Sequence, residues 1–197
     1  MIKATNDLAG GPVFKARRIL VATGLRDELP DIPGLRERWG KDLLHCPYCH
    51  IYEVRDQPLA VLRTGPGAVH QALLPRIVEG RIGHVVTEGD RLQGVALTDG
   101  RSVPRAAVFL FPRMVPQDDL LTRLGCAKDG RVTTDRTGRT SVDGVWAAGN
   151  VIDPRAQVVT AAGMGSAAAF AINTDLLEED VDHAVQRRRA EARGDGR

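Results

Sequence analysis

The fold is decided by the stretch Val145-Trp146-Ala147-Ala148-Gly149-Asn150 and by the helical pattern that follows it. The residues Trp146–Ala148 predict a strand, and Gly149-Asn150 predicts a tight turn at its end. From Gln157 to Leu177 the sequence predicts a long helix that is rich in alanine and glycine. Such small side chains let a helix lie close to a sheet or a flat ligand, and a tightly packed core helix explains the same composition equally well. A strand followed by such a helix is typical of an α/β fold.

Two earlier apolar runs match strands of the same kind. Ile19-Leu20-Val21-Ala22 is followed by Thr23-Gly24, and Pro58-Leu59-Ala60-Val61-Leu62 leads almost directly into Thr64-Gly65-Pro66-Gly67. A strand, a Gly-x-Gly turn and a helix form the opening of a dinucleotide-binding unit, since glycines let the backbone approach a pyrophosphate. His70 stands where the third glycine of that pattern is expected.

The rest of the sequence predicts short strands, a helix and a charged tail. Between Gly83 and Val103 short alternating runs surround Asp99-Gly100, which predicts a hairpin. Ala106–Phe111 predicts one more apolar strand, and Pro116–Leu124 predicts a helix. After Asp180 the sequence is strongly charged and predicts a solvated tail.

The stretch His45-Cys46-Pro47-Tyr48-Cys49-His50 carries the chemistry. Two cysteines separated by two residues can close into a small, reducible disulfide ring. The thiolate form of one such cysteine attacks other disulfides, and the flanking histidines can supply or accept the proton that this exchange requires. The pair therefore predicts a redox function.

Three other interpretations of these residues remain open. Cys46-x-x-Cys49-His50 is also the attachment pattern of c-type haem, which requires export to a haem-ligation compartment. The two cysteines and two histidines could bind zinc, although zinc ligands usually come from two separated segments. The cysteines could also be ordinary buried residues.

Length and charge restrict the function classes. The chain has 197 residues, a formal net charge of +2 and three cysteines, of which Cys126 lies far from the pair. This charge does not indicate nucleic-acid binding, and the cysteine count predicts a reducing compartment rather than a disulfide framework. With neither a signal-peptide pattern nor a membrane-spanning apolar run in the sequence, we expect a cytoplasmic protein without a membrane partner.

Taken in order, these motifs resemble those of the low-molecular-weight thioredoxin reductases and flavin-dependent dithiol oxidases of the pyridine nucleotide-disulfide oxidoreductase superfamily. The resemblance covers roughly residues 15 to 178 and implies a three-layer, FAD/NAD(P)-binding, Rossmann-like α/β fold. The matching motifs are Ala22-Thr23-Gly24, Cys46-Pro47-Tyr48-Cys49-His50, Thr64-Gly65-Pro66-Gly67, Trp146-Ala147-Ala148-Gly149-Asn150 and Ala156–Gly163.

The resemblance also implies a route for electrons. NADPH would reduce FAD, which would reduce the Cys46–Cys49 disulfide; Cys49 would lie nearest the flavin, in charge-transfer contact with it. Cys46 would face the external disulfide, and His50 would carry protons. In this scheme FAD is bound by Thr23, Gly24, Gly149, Asn150, Gln157, Val158, Thr160 and Ala161, and the nicotinamide cofactor is bound by Gly65 and Gly67.

The implied partner is a thioredoxin-like protein or a small-molecule disulfide, and relatives are commonly homodimers. The dithiol oxidases run the same chemistry in reverse, taking electrons from a small-molecule dithiol and passing them to oxygen. The sequence does not separate the two directions.

Two departures from the family pattern predict an incomplete fold. Nothing before Ile19 resembles the strand–Gly-x-Gly-x-x-Gly–helix unit that holds the ADP half of FAD. The interval from Leu74 to Gly83 is also too short for a further βαβ unit, which takes about 30 residues or more. In a doubly wound sheet the first strand lies in the middle, so we expect apolar strands that lack a neighbour.

We therefore expect a shortened flavoenzyme, or a fragment that needs a partner chain to bind FAD. The predicted domains are a remnant of the FAD-binding domain, a shortened, inserted NAD(P)-type domain that carries the cysteine pair, the second half of the FAD-binding domain, and a charged tail. They span residues 1–44, 45–112, 113–180 and 181–197, respectively.

Overall fold

The computed structural model describes residues 2–5, 13–62 and 80–194. The first strands are β1 (Ile2–Thr5), β2 (Val13–Ala16), β3 (Ile19–Val21), β4 (Leu25–Glu28), β5 (Leu43–Leu44), β6 (Leu59–Leu62) and β7 (Ile82–Glu88). The later strands are β8 (Arg91–Leu97), β9 (Ser102–Pro104), β10 (Ala107–Leu110), β11 (Arg113–Pro116), β12 (Lys128–Asp129), β13 (Arg131–Val132) and β14 (Val145–Ala147). The helices are α1 (Leu35–Arg38), α2 (Pro47–His50), α3 (Asp119–Arg123), a 3₁₀ helix (Gly149–Val151) and α4 (Val158–Gly194).

The chain divides into two compact units. The first comprises Met1–Arg26 and Val115–Arg197, and the second comprises Asp27–Met114. Each contains parallel strands, which confirms the prediction of an α/β fold. The functional assignment of the four predicted domains stays a prediction.

The core of the first unit forms around a pair of parallel strands. Strand β3 pairs with β14 in the register Ile19↔Val145, Leu20↔Trp146 and Val21↔Ala147. All three residues of β14 are buried, as in a strand covered on both faces, whereas Leu20 of β3 is 39% exposed. The buried cluster consists of Val21, Leu121, Cys126, Val132, Val145, Ala147 and Val151. In the described part of the chain no strand pairs with the other edge of β3.

The second edge of β14 is held by the segment that contains Gly138. The backbone N–H of Ala147 donates to the carbonyl of Gly138 at 2.8 Å, and Arg139 forms an antiparallel bridge with Trp146. Gly138 has φ +83°, and a Cβ atom at this residue would lie 2.5 Å from the carbonyl oxygen of Ala147. Only glycine fits this approach without displacing the strand.

The second unit contains a three-stranded parallel sheet. Strand β10 lies between β5 and β6, and all four of its residues are buried. The prediction of strands at Pro58–Leu62 and Ala106–Phe111 is confirmed. Strand β5 was not predicted because Leu43-Leu44 is too short to show a period. The sheet brings the chain to His45 and the cysteine pair at the end of β5.

An antiparallel sheet, β7–β8–β9, covers the same core. The backbone N–H of Arg101 donates to the Asp99 carboxylate at 3.1 Å, and Gly100 has φ +89°, so the predicted Asp99-Gly100 hairpin is confirmed. The buried residues shared by the two sheets and α1 are Leu35, Leu43, Val85, Leu92, Val95, Val108 and Leu110.

A buried arginine fixes the segment that precedes the cysteine pair. The side chain of Arg38 is 7% exposed; it contacts the Asp42 carboxylate at 2.5 Å and the Asp90 carboxylate at 2.6 Å. Asp42 also accepts the backbone N–H of Leu92 at 2.9 Å. Because a buried guanidinium is stable only with such partners, this cluster ties β8 to the start of β5.

Helix α4 is longer than the sequence pattern indicates. The prediction ended the helix at Leu177 and placed a tail after Asp180, but α4 continues to Gly194. The reason is composition, since alanine, glutamate, glutamine and arginine are good helix formers and no proline or glycine intervenes. Arg18 fastens the middle of α4 through Asp175 and, at 2.7 Å, Glu179. No helix in the described ranges is long and apolar enough to cross a membrane.

Candidate active site

The two cysteines lie on a single turn. Cys46 precedes α2 as its N-cap residue, Pro47 begins the helix, and Cys49 lies within it. Proline favours the first helical position because its fixed φ suits the helix and its missing N–H is not needed there. The backbone N–H groups of Cys49 and His50 both donate to the carbonyl of Cys46 at 3.2 Å. Both cysteines are free thiols; Cys46 is half-buried and Cys49 is exposed.

The Cys49 thiol stays protonated over a wider pH range than an ordinary thiol. The pKa of the Cys49 thiol is raised, mainly because this thiol donates a hydrogen bond to the Cys46 sulfur; burial and the charge of Cys46 act in the same direction. Exposure alone would make Cys49 the more reactive thiol, whereas its raised pKa lowers the fraction of Cys49 that is thiolate. The raised pKa outweighs exposure, because the thiolate is the nucleophile and its fraction falls about tenfold for each unit by which the pKa is raised.

We expect iodoacetamide to modify Cys46 before Cys49 at neutral pH. The raised pKa keeps Cys49 protonated over a wider pH range, so the modification of Cys49 should accelerate as the pH rises through that pKa. Peptide mass spectrometry after brief alkylation measures the order, with the buried Cys126 as the internal control. Faster modification of Cys49 at neutral pH would contradict the assignment.

The two histidines beside the pair have different surroundings. The Nδ1 atom of His50 lies 3.1 Å from the Oε2 atom of Glu53, and both side chains are partly exposed. His45 packs its ring edge-to-face against Phe111, with centroids 5.1 Å apart. Its pKa is lowered, first by burial, against which the charge of Asp27 acts. His45 is therefore held neutral at physiological pH, and His50 is the better candidate for proton transfer.

Two exposed aromatic residues are close neighbours of Cys49 along the chain. Tyr48 lies between the two cysteines and Tyr52 follows them; both are largely exposed. The guanidinium of Arg55 stacks 3.9 Å from the centroid of the Tyr52 ring and donates to the Tyr52 carbonyl at 2.8 Å. The surface beside Cys49 thus presents rings and a fixed positive charge to solvent.

The residues predicted to bind FAD lie in the first unit, at the carboxyl end of the β3–β14 pair and at the start of α4. Thr23-Gly24 follows β3 and Gly149-Asn150 follows β14. The backbone N–H of Ala148 donates to the carbonyl of Val21 at 3.1 Å, so both strands end at the same level. The carboxyl ends of parallel strands are where ligands bind in open α/β sheets.

A glutamine fixes the first of these turns. The Gln117 side chain donates to the carbonyl of Thr23 at 2.9 Å, and its backbone N–H donates to the carbonyl of Gly24 at 3.0 Å. The Thr23 hydroxyl in turn donates to the carbonyl of Gln117 at 2.5 Å. The Thr23 side chain is therefore already engaged within the unit, and Gly24 offers its backbone.

Asn150 organises the second turn. Its side-chain N–H group donates to the carbonyls of Asp153 at 3.1 Å and Ala156 at 2.9 Å, which shapes the loop before α4. Gly149 has φ +78°, a conformation that other residues rarely adopt.

The first turn of α4 is open to solvent. Val158 is 90% exposed and Val159 is 77% exposed, while Gln157 and Thr160 are also exposed and Ala161 is half-buried. A Cβ atom added at Gly163 or Gly165 would meet nothing within 4 Å. Among the described residues, close packing therefore explains the buried Ala168 but not Gly163 or Gly165.

Two further predictions have different outcomes. Gly65 and Gly67, the predicted nicotinamide turn, lie outside the described residues. The cysteines and histidines of the candidate zinc site are described, and no group of three or more potential ligands in the described ranges is placed to hold a metal ion.

Two residues of the site were not found from the sequence. Glu53 lies three residues after His50, a spacing that brings side chains together along a helical path, so the pattern could have indicated it. Gln117 lies 94 residues from Thr23, and no local signal connects them.

Comparisons with known proteins identify the family of the chain. A family model described as pyridine nucleotide-disulphide oxidoreductase matches residues 67–165, half of the chain. The chain is similar to the crystal structure of HlmI, with 52% sequence identity and a TM-score of 0.88, over 98% of this chain and 72% of HlmI. It is also similar to an oxidoreductase from Agrobacterium tumefaciens, with 32% identity and a TM-score of 0.78, over 85% of this chain and 67% of that one.

Curated relatives include thioredoxin reductases. The thioredoxin reductase sirT of Leptosphaeria maculans is 29% identical over an alignment of 217 positions, gaps included, that covers 87% of this chain and 66% of sirT. The thioredoxin reductase aclD of Aspergillus oryzae is 44% identical over 61 residues, which cover 30% of this chain and 19% of aclD. The chain thus spans from about a fifth to about two thirds of these relatives' lengths. From the family match and the likeness to HlmI and the Agrobacterium enzyme, the chain belongs to the pyridine nucleotide-disulphide oxidoreductase family and shares its thioredoxin reductase-like fold.

Proposed function

We propose that this protein is a disulfide oxidoreductase that exchanges electrons between an external disulfide and the Cys46–Cys49 pair, with FAD and NADPH as cofactors. The observation that carries the proposal is the single helical turn that holds both free cysteines, in which the backbone N–H of Cys49 donates to the carbonyl of Cys46 at 3.2 Å. On this turn the contact with the Cys46 sulfur raises the pKa of the Cys49 thiol.

The exchange proceeds in two displacements. The Cys46 thiolate attacks one sulfur of the external disulfide, forming a mixed disulfide and releasing the other sulfur as a thiolate. Cys49 then loses its proton and attacks the Cys46 sulfur, which closes the Cys46–Cys49 disulfide and releases the second thiolate. The external disulfide gains two electrons and the cysteine pair loses two. His50 accepts the Cys49 proton and delivers it to a departing thiolate.

The carboxyl end of the β3–β14 pair supports the FAD part of the proposal. Gly24 and Gly149 would let a ligand approach the backbone, and the exposed Val158 and Val159 offer an apolar surface to a flat ring. The positive end of α4 favours negative charge there. In this assignment Thr23, Asn150, Gln157, Thr160 and Ala161 complete the site. When bound, FAD supplies a two-electron acceptor and donor for the cysteine pair.

The remaining assignments are family expectations. Gly65 and Gly67 would hold the pyrophosphate of NADPH through their backbone. The substrate would be a thioredoxin-like protein or a small-molecule disulfide. Electron flow from a small-molecule dithiol to oxygen would use the same two sulfurs in the opposite order, and the assay below separates the two directions.

The test is an assay of the purified chain with added FAD, using the aromatic disulfide DTNB as the probe. We expect NADPH-dependent release of two coloured thiolates per turnover, and a bound flavin band in the visible spectrum after desalting. Oxygen consumption with dithiothreitol in place of NADPH measures the reverse direction. Absence of turnover in both directions, with FAD present and both cysteines titratable, would overturn the proposal.

A further inference from the structure

We infer that Glu53 is a positioning residue that fixes the ring of His50 for proton transfer at the cysteine pair. The inference rests on the proposed function, because it needs His50 to carry a proton. It starts from one contact, the 3.1 Å distance between the Nδ1 atom of His50 and the Oε2 atom of Glu53.

The backbone holds both residues in place. The N–H of His50 donates to the carbonyl of Cys46 at 3.2 Å, and the N–H of Glu53 donates to the carbonyl of His50 at 3.1 Å. The cysteines, His50 and Glu53 therefore follow each other on consecutive turns. The carboxylate meets the ring without a long flexible segment between them.

The contact selects one form of the neutral ring. A carboxylate can only accept a hydrogen bond, so Nδ1 must carry the hydrogen, which leaves Nε2 as the atom that accepts a proton. The same contact restricts rotation of the ring, as carboxylates do for histidines in other acid–base and metal sites.

Solvent limits the electrostatic part of this contact. The side chains of His50 and Glu53 are 40% and 67% exposed, so their charge interaction is screened by water. The effect of Glu53 is therefore directional: it sets which nitrogen is free and where that nitrogen points. A neutral hydrogen-bond acceptor of the same length should then serve nearly as well.

The test compares Glu53→Gln with Glu53→Ala in the full chain. The glutamine keeps an oxygen that accepts the Nδ1 hydrogen, whereas alanine removes it. Glu37→Ala is the matched control, because Glu37 is an exposed carboxylate of the same unit on α1. The thermal midpoint of each variant checks the fold.

Two measurements decide the inference. The ring-nitrogen NMR shifts of His50, assigned with a His50→Gln variant, should report the Nδ1–H form in the wild type and Glu53→Gln. Glu53→Ala should lose that preference. In the DTNB assay Glu53→Ala should lower kcat roughly tenfold with KM unchanged, since acid–base catalysis contributes about a hundredfold or more in total. Glu53→Gln should stay within about threefold of the wild type by the same reasoning, and Glu37→Ala should be unaffected.

The outcomes separate the inference from the proposed function. An unchanged His50 tautomer in Glu53→Ala, or an unchanged kcat in an active enzyme, overturns the inference. A wild-type chain without turnover overturns the proposed function, and the NMR comparison then decides alone whether Glu53 positions the ring. Equal losses in Glu53→Gln and Glu53→Ala would also overturn it, because they would assign the effect to charge.

Discussion

Replacing Cys49 by serine is expected to trap a mixed disulfide on Cys46 and to stop turnover. The Cys46 thiolate still attacks the external disulfide, but the serine hydroxyl cannot displace it from the Cys46 sulfur. With DTNB the variant should release one coloured thiolate per chain and gain the mass of the other half of the probe. Turnover should fall by on the order of a thousandfold or more, as for the loss of other covalent nucleophiles.

Replacing Cys46 by serine is expected to abolish turnover, because no second sulfur remains to close the disulfide. The pKa of Cys49 is raised in the wild type, mainly by the hydrogen bond to the Cys46 sulfur. Removal of that sulfur therefore lowers the pKa of Cys49 toward its ordinary value, and iodoacetamide should modify Cys49 faster in this variant than in the wild type. Slower modification of Cys49 than in the wild type would contradict this role of Cys46.

Cys126 provides the control for both variants. It is buried in the first unit, where its thiol donates to the Thr140 hydroxyl at 3.4 Å. Serine can make the same hydrogen bond, so Cys126→Ser should keep the turnover of the wild type. A comparable loss of turnover in this variant would point to a general effect of cysteine removal.

Replacing Gly138 by alanine is expected to destabilise the first unit strongly. Its φ of +83° costs an alanine about 1–2 kcal/mol. The added Cβ would also lie 2.5 Å from the carbonyl oxygen of Ala147, and relieving this overlap should cost about 1–3 kcal/mol more. The strand must shift where it leads into Gly149-Asn150, so bound flavin should be lost as well.

Gly125→Ala is the matched control. Gly125 has φ +82°, and an added Cβ would meet nothing within 4 Å, so this variant carries the backbone cost alone. Urea denaturation measures the free energy of unfolding of both variants. The difference between the two values is the free-energy cost of the steric overlap at Gly138. Equal losses of stability in the two variants would contradict the role of the Gly138–Ala147 approach.

Local patterns were sufficient to predict the elements with a clear period or turn chemistry. The apolar runs at β3, β10 and β14 and the Asp99-Gly100 hairpin were confirmed because each is specified by neighbouring residues. Strand β5 was missed because two residues show no period. The C-terminal extension of α4 was missed because its charged composition suits both a solvated tail and a helix.

The site was only partly predictable, because local patterns do not show which residues the fold brings into contact. The Cys46–Cys49 spacing indicated redox chemistry, and the flanking histidines looked equivalent in the sequence. Only the fold separates them, since Phe111 packs on His45 while Glu53 contacts His50. The hydrogen bonds between Gln117 and Thr23 join residues that are far apart in the chain, and no local pattern connects them.

The length of α4 has a thermal consequence. Its 37 residues extend about 55 Å at 1.5 Å per residue, and from Val181 onward every described side chain is exposed. Helicity there depends on intrinsic propensity and side-chain pairs rather than on a packed face. On heating, this end should uncoil progressively, turn by turn, well before the cooperative melting of the segment that Arg18 fastens.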